Sequence, residues 1–159
     1  MSAQLSYSTN LRKAFAGMLA DLHNHDIISR SIETVAGADF GIAVSRGTEK
    51  DKQAVIGGAT GFLGITVRSL GRENTSNDTV KYSKTETAGI LRQGYIYVVC
   101  PSGCNPGDPV NYIDATGILD SGAAVAGETN LTGAIWDTTA AAGELAVIRL
   151  AGISTTAGA

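Results

Sequence analysis

Short apolar runs alternate with glycine-rich and polar connections along most of the chain, and this pattern predicts strands. Leu63, Ile65 and Val67 point to one side of an extended segment, with smaller or polar residues between them. Seven strands are predicted: Phe40–Val44, Phe62–Ser69, Thr79–Tyr82, Gly94–Cys100, Val110–Ile113, Leu131–Trp136 and Glu144–Leu150. Because no helical repeat lies between them, we expect a mainly β protein, either a single small β-barrel or a jelly-roll-like sandwich.

The glycine content changes sharply at residue 37. Residues 1–36 contain one glycine, Gly17, and the rest of the chain contains nineteen. We therefore predict three parts: an extended N-terminal arm over residues 1–36, a β-domain over 37–153 and a flexible tail over 154–159.

The apolar residues of the arm are too sparse to form half of a core. The spacing of Phe15, Met18 and Leu19 is typical of a turn or two of helix. Leu5 and Tyr7 lie further upstream. We interpret these side chains as anchors laid across another surface.

Charge argues against a nucleic-acid partner. The chain has 12 basic and 15 acidic residues, a net charge of −3, without the clustered Lys and Arg that phosphate binding requires. Residues 1–99 carry 11 bases against 9 acids, whereas residues 100–159 carry Arg149 against six acids. Such polarity hints at a charge-complementary partner or self-association. The longest apolar run, 95–100, is too short to span a membrane, and we expect a protein made in the cytoplasm.

One glycine motif suggests a nucleotide cofactor. Gly58, Gly61 and Gly64 have the spacing of a dinucleotide-binding fingerprint. That fingerprint requires a helix whose N-terminus meets the pyrophosphate, but the β-branched segment 65–68 follows instead. We interpret the motif as a bend that leads into a strand, and predict no cofactor.

Other candidate chemistry is sparse. His23, His25 and Asp26 could approach a metal, but the chain has no third histidine to complete the site. Cys100 and Cys104 are predicted to be partly buried free thiols. Asp108 and Asp114 flank a turn, and we interpret them as turn caps. Tyr95 and Tyr97 lie on one face of a predicted strand, and we interpret them as core or interface packing residues. With histidines only in the arm, we predict no catalytic site, no metal and no enzyme.

A succession of segments carries a family resemblance. The arm segment 14–21 leads through 26–30 to 40–44, and strand segments follow at 62–68, 94–98 with 107–110, and 133–136 with 142–148. In this order, the chain resembles the tailed-bacteriophage capsid cement (decoration) protein family over nearly its full length. The loop 100–104 departs from the family pattern.

The resemblance implies a virion structural protein without catalysis. It would bind the outside of the mature major-capsid lattice and stabilise the head against internal DNA pressure. The implied partners are the major capsid protein and further copies of this chain, as a trimer at local three-fold positions or as a dimer. Neither nucleic acid nor membrane would be bound.

In this picture the arm makes the contacts with the shell or with a neighbouring copy. Five apolar arm residues would be anchors, and Arg30 would be a polar lock; the anchors are Phe15, Met18, Leu19, Ile27 and Ile28. For each of them, the alternative is packing against the β-domain of its own chain.

A second function is a ligand-binding β-sandwich module of a phage particle that recognises carbohydrate or a host surface. It would need an exposed aromatic platform. Trp136 and the five tyrosines are the available source. An exposed Trp136 whose fluorescence is quenched by sugars would favour this function, and a buried Trp136 together with tight self-association would favour the structural role.

Overall fold

The protein is all-β in the described part of the chain. The computed structural model describes residues 14–22, 24–71 and 80–158, and these contain strands but no helix. The nine strands are β1 (Asp26–Ile32), β2 (Ala43–Arg46), β3 (Gln53–Ile56), β4 (Phe62–Thr66), β5 (Thr87–Cys100), β6 (Pro109–Ile113), β7 (Leu119–Ser121), β8 (Glu128–Trp136) and β9 (Glu144–Ala157).

Five of the strands close into a small barrel. The order is β1-β3-β2-β4-β5, and β1 pairs again with β5 to complete the ring. The β1–β3 pair is parallel, and the other barrel pairs are antiparallel. Closure leaves these strands without a free edge. The predicted β-barrel is therefore confirmed.

The remaining strands continue the sheet beyond the barrel in the order β5-β9-β8-β6-β7. The 14-residue strand β5 belongs to both parts. Its first half pairs with β1 and β4, and its second half, Gly94–Cys100, pairs with Glu144–Leu150 of β9. One long strand thus holds the two parts in a fixed relation.

Two hydrophobic cores lie on opposite faces of the shared strands. Ile90 and Leu91 are consecutive and both fully buried. Because successive side chains of a strand point to opposite faces, Ile90 packs inside the barrel and Leu91 packs under the second sheet. Trp136 and Tyr112 are the largest fully buried side chains, and both lie in the second core.

The turn after β6 is clamped onto the barrel by backbone hydrogen bonds. Ala43 N donates to Gly117 O at 2.7 Å, and Gly58 N donates to Asp114 O at 2.8 Å. A Cβ on Gly117 would lie 2.3 Å from Ala43 O, and its φ is +70°. This close approach is available only to glycine.

Three strands were not predicted from the sequence. Strand β1 lies within the segment assigned to the arm, so residues 26–32 close the barrel and Ile32 is buried in it. The short strands β3 and β7 have four and three residues. Of the predicted strand 79–82, Thr79 lies outside the described residues, and Tyr82 forms only an isolated bridge with Ala38.

At both ends of the described chain, the structure differs from what the sequence predicts. The predicted helical turns of the arm are wrong over the described residues, since 15–18 form a turn and Leu19 bridges to Ile96 of β5. At the other end, β9 continues to Ala157, which pairs with Thr129, across most of the segment predicted as a tail.

Candidate interaction surface

The arm adds a short extended segment to the edge of β5. Gly17 N donates to Tyr97 O at 2.7 Å, and Tyr97 N donates to Met18 O at 2.8 Å. Ala20 N donates to Tyr95 O at 3.0 Å. These bonds have the pattern of a peptide that augments a sheet, so the described part of the arm is bound to its own chain.

Gly17 allows this segment to lie flush against the barrel. Its φ is +81°, and a Cβ there would come within 2.8 Å of Phe40 Cβ and 2.9 Å of Arg68 N. Its carbonyl accepts a hydrogen bond from Arg68 N at 2.7 Å. The single glycine of the arm therefore marks its closest approach to the body.

Two of the six predicted contact residues lie outward. The side chain of Phe15 is 45% exposed, and the Arg68 guanidinium lies 4.9 Å from the centre of its ring. Ile27 is 37% exposed, and both Ile27 and Val67 lie beside Gly89. A Cβ added to Gly89 would be 3.6 Å from Ile27 Cγ2 and 3.7 Å from Val67 Cβ. We name Phe15, Ile27, Val67 and Arg68 the arm-side patch.

The other predicted residues hold the arm in place. Leu19 packs against the core of the second sheet, and Ile28 packs against the barrel core. Met18 accepts a hydrogen bond from Phe15 N through its sulfur at 3.3 Å. Arg30 donates to Ser29 O at 2.8 Å, and its buried Nε has no partner among the described residues. Packing against the chain's own domain thus applies to Leu19 and Ile28.

The described candidate catalytic and metal-binding residues form hydrogen bonds or ion pairs with neighbouring residues. His23 lies outside the described residues, while His25 Nδ1 contacts Leu22 O at 2.9 Å and Asp26 lies 3.5 Å from Arg92. Within the described ranges no group of three potential metal ligands forms. Asp108 accepts a hydrogen bond from Asn105 N within a turn at 2.8 Å, and Asp114 accepts one from Thr129 Oγ1 of β8 at 2.7 Å.

The glycine motif leads directly into a strand. Gly58 and Gly61 have φ values of +90° and +76°, and β4 begins at Phe62. Backbone N–H groups at the start of a helix are what a pyrophosphate requires, and a strand does not offer them. The interpretation as a bend before a strand is confirmed.

The two cysteines are free and buried, as predicted. Cys104 Sγ donates to Thr138 O at 3.4 Å, and Cys100 Sγ lies 3.8 Å from Asp120 Oδ1. Burial raises the pKa of both thiols, and raises the pKa of Cys104 to about 12. Such thiols are poor nucleophiles at neutral pH.

Raised thiol pKa values make stability fall at high pH. The folded protein favours the neutral thiol. The stabilisation that the Cys104 thiol contributes is therefore fully present below the ordinary thiol pKa of 9.0, and it is lost as the pH rises towards the raised pKa of about 12. We expect Cys104→Ala to flatten the decline in unfolding free energy above pH 9, measured by urea unfolding between pH 7 and 11. An equally steep decline in the variant would contradict this assignment.

Among the described residues, Trp136 and four of the five tyrosines are buried or half-buried, and Tyr7 lies outside those residues. Trp136 has no exposed surface, and Tyr82 and Tyr112 are buried as well. Tyr95 and Tyr97 are half-buried beside the arm segment. The burial of Trp136 is the arrangement expected for the structural role.

Fluorescence checks the burial of Trp136 in solution. Because it is the only tryptophan, we expect blue-shifted emission that acrylamide quenches weakly. A panel of neutral and acidic oligosaccharides should leave this emission unchanged. Saturable quenching by one of them would instead support the carbohydrate-binding function.

Comparison with known families decides the classification. The family model for the structural cement protein (E217 gp24/Pam3 gp6) matches residues 3–151. The chain belongs to the structural cement protein family. The resemblance found in the sequence is thereby confirmed, and it gives the chain a structural role in a bacteriophage virion.

Structural comparison supports the all-β fold. A chain from the capsid of Myoviridae phage XM1 superposes with a TM-score of 0.76 at 17% identity, covering 97% of this chain and 100% of its own length. No curated protein matches the sequence. The described segments also include no helix able to cross a membrane.

Proposed function

We propose that this cement-family protein binds the outside of the mature major-capsid lattice and stabilises the head against the pressure of packaged DNA. The observation that carries the proposal is the family match over residues 3–151 together with the partly exposed Phe15 and Ile27 and the half-buried Arg68 that lies over the Phe15 ring. A clamp of this kind needs no catalytic group, and we propose a non-enzymatic role. It would assemble on the virion after synthesis in the host cytoplasm.

The arm-side patch is the proposed contact with the shell. Phe15 and Ile27 offer apolar surface, and Arg68 offers a charge held over an aromatic ring. Aromatic residues and arginine are enriched at protein interfaces because they combine large apolar area with a polar end. Met18, Leu19, Ile28 and Arg30 would position this patch.

A closed barrel is a rigid fold, and the proposed function requires rigidity. A protein that holds neighbouring capsid subunits together must bear the force that pulls those subunits apart. Strand β5 runs through both cores and also bears the arm segment, so displacement of the patch is resisted by the whole fold. Several copies that each make a modest contact add their binding free energies through multivalency. We propose that the chain acts as a homotrimer, with a homodimer as the alternative.

Head stability tests the proposed role. Heads of the source phage that lack the protein should rupture at a lower temperature or milder osmotic shock, and adding the purified chain should restore resistance. Antibody or protease should reach the bound protein on intact particles. Equal rupture thresholds with and without the protein would overturn the stabilising role, and complete protection from both probes would overturn the exterior placement.

A further inference from the structure

The C-terminal half of β9 is a sheet edge that is open on one side. Strand β5 passes from the second sheet into the barrel at Gly94, and its pairing with β9 ends at Leu150. Residues 154–157 of β9 pair with β8, and among the described residues no strand pairs with them on the other side. A cleft of about 310 Å³, lined by Gly152 and Ile153 of β9 and by residues of the barrel, leaves space at the start of this edge. The edge can therefore accept a further strand.

Backbone hydrogen bonds show which residues of this edge are open. Gly158 N donates to Glu128 O at 2.8 Å, and these two residues lie opposite each other in the β8–β9 register. Bonded and non-bonded pairs alternate along an antiparallel ladder, so Thr156 bonds β8, whereas the N–H and C=O groups of Thr155 and Ala157 point away from it. Within residues 14–22, 24–71 and 80–158, no backbone partner takes up these groups. The edge thus presents two open donors and two open acceptors.

The edge lacks the features that usually keep an exposed strand from pairing with another copy. Residues 151–158 contain no charged residue and no proline, and the side chains of residues 154–157 are exposed. The irregularity in the β8–β9 register lies at residues 151–153, before the open groups. Pairing with a second copy brings identical residues together, so a charged edge would repel itself, whereas this edge does not. A second copy of the chain is therefore the partner that fits this edge.

We propose that two copies of the chain pair through this edge, antiparallel, with Thr156 of each copy at a two-fold axis. In this register Thr155 of each copy lies opposite Ala157 of the other, so every open donor meets an open acceptor. The two Thr156 side chains meet across the axis on one face of the joined sheet, where cross-strand threonine pairs are favourable.

This contact goes beyond the proposed function, because it forms between isolated copies and does not depend on capsid binding. The pair that it produces is a homodimer. A few backbone hydrogen bonds make a small interface, so we expect the pair to be short-lived in solution and to be favoured where a shell holds copies close together. A covalent trap is therefore the suitable probe.

Disulfide trapping of the full-length protein tests the pairing and its register. In the proposed pair the Cα atoms of the two Thr156 residues lie about 4.5 Å apart, a separation that a disulfide spans, so Thr156→Cys should form covalent dimers in a glutathione redox buffer. Thr155→Cys is the matched control, because its side chain is also exposed but the two copies of residue 155 lie diagonally. At a separation of about 7–8 Å they should link at least about tenfold more slowly.

The native thiols are buried, so the wild type gives the background rate of dimer formation. Equal rates for Thr156→Cys and Thr155→Cys would show random collision and overturn the proposal. Faster linking of Thr155→Cys, or a Thr156→Cys rate no higher than the background, would overturn it as well.

Removal of one open N–H group tests the hydrogen bonds themselves. Thr155→Pro, introduced together with Thr156→Cys, removes an N–H that bonds no strand of its own chain, so the β8–β9 ladder is retained. Each pair then loses one hydrogen bond per copy, and cross-linking should slow about tenfold. Thr155→Ala in the same background keeps the N–H and should leave the rate unchanged. Equal rates for the proline and alanine variants, with both folded by circular dichroism, would contradict pairing through this edge.

Discussion

Replacing Phe15 and Ile27 together by aspartate is expected to abolish binding to capsids while the barrel stays folded. Both side chains are partly exposed and belong to neither hydrophobic core, so we expect the barrel to tolerate the substitutions. An apolar anchor that becomes buried at an interface contributes about 1–3 kcal/mol, and a buried unpaired carboxylate costs more. Affinity per copy should fall at least about 100-fold, measured by titrating empty capsids with labelled protein.

A matched pair of substitutions controls for surface charge. Val35→Asp with Val125→Asp adds the same two carboxylates at sites that are 79% and 58% exposed and outside the arm-side patch. This double variant should bind like the wild type. Equal loss in both double variants would show that charge alone weakens binding, and undiminished affinity in F15D/I27D would refute the patch as the contact.

A second substitution is expected to lower the stability of the fold. Gly117→Ala should lower the free energy of unfolding by at least about 2 kcal/mol, because the new methyl group would overlap Ala43 O and the left-handed backbone disfavours alanine. The clamp between the barrel and the turn after β6 would open. Urea unfolding followed by Trp136 fluorescence measures the change, since this tryptophan is buried in the affected core.

Gly107→Ala separates steric overlap from backbone preference. Gly107 also has a positive φ, +91°, but open space surrounds the position of its Cβ. Its substitution should cost only the conformational preference, about 1 kcal/mol. If the two variants were destabilised equally, the clamp at Ala43 O would contribute nothing measurable.

The main strands were predictable from the sequence because they are short runs rich in apolar and β-branched residues, bounded by Gly, Asn, Asp and Pro. Tyr95–Val98 and Glu144–Leu150 lie in the long central strands β5 and β9. Strand β1 was assigned to the arm because the boundary of the β-domain was placed where the glycine content rises, at residue 37. Barrel closure depends on pairing between segments far apart in sequence, which local patterns do not encode.

The candidate site was only partly predictable. The sequence pointed to Phe15 and Ile27, but sparse apolar spacing does not show which side chains turn inward, and Leu19 and Ile28 do. Val67 and Arg68 were missed as members of the patch because they follow a strand in a different part of the chain. The lone glycine of the arm, Gly17, was the available signal of a close contact with the body.

The proposed function requires that this cement-family protein bind the mature major-capsid lattice. Its most direct test is co-sedimentation of the purified chain with expanded and unexpanded empty capsids of the source phage, with bound copies counted per capsid subunit. We expect binding to saturate at a fixed simple ratio on expanded shells, as it would at one symmetry position. Absence of binding to either form would contradict it.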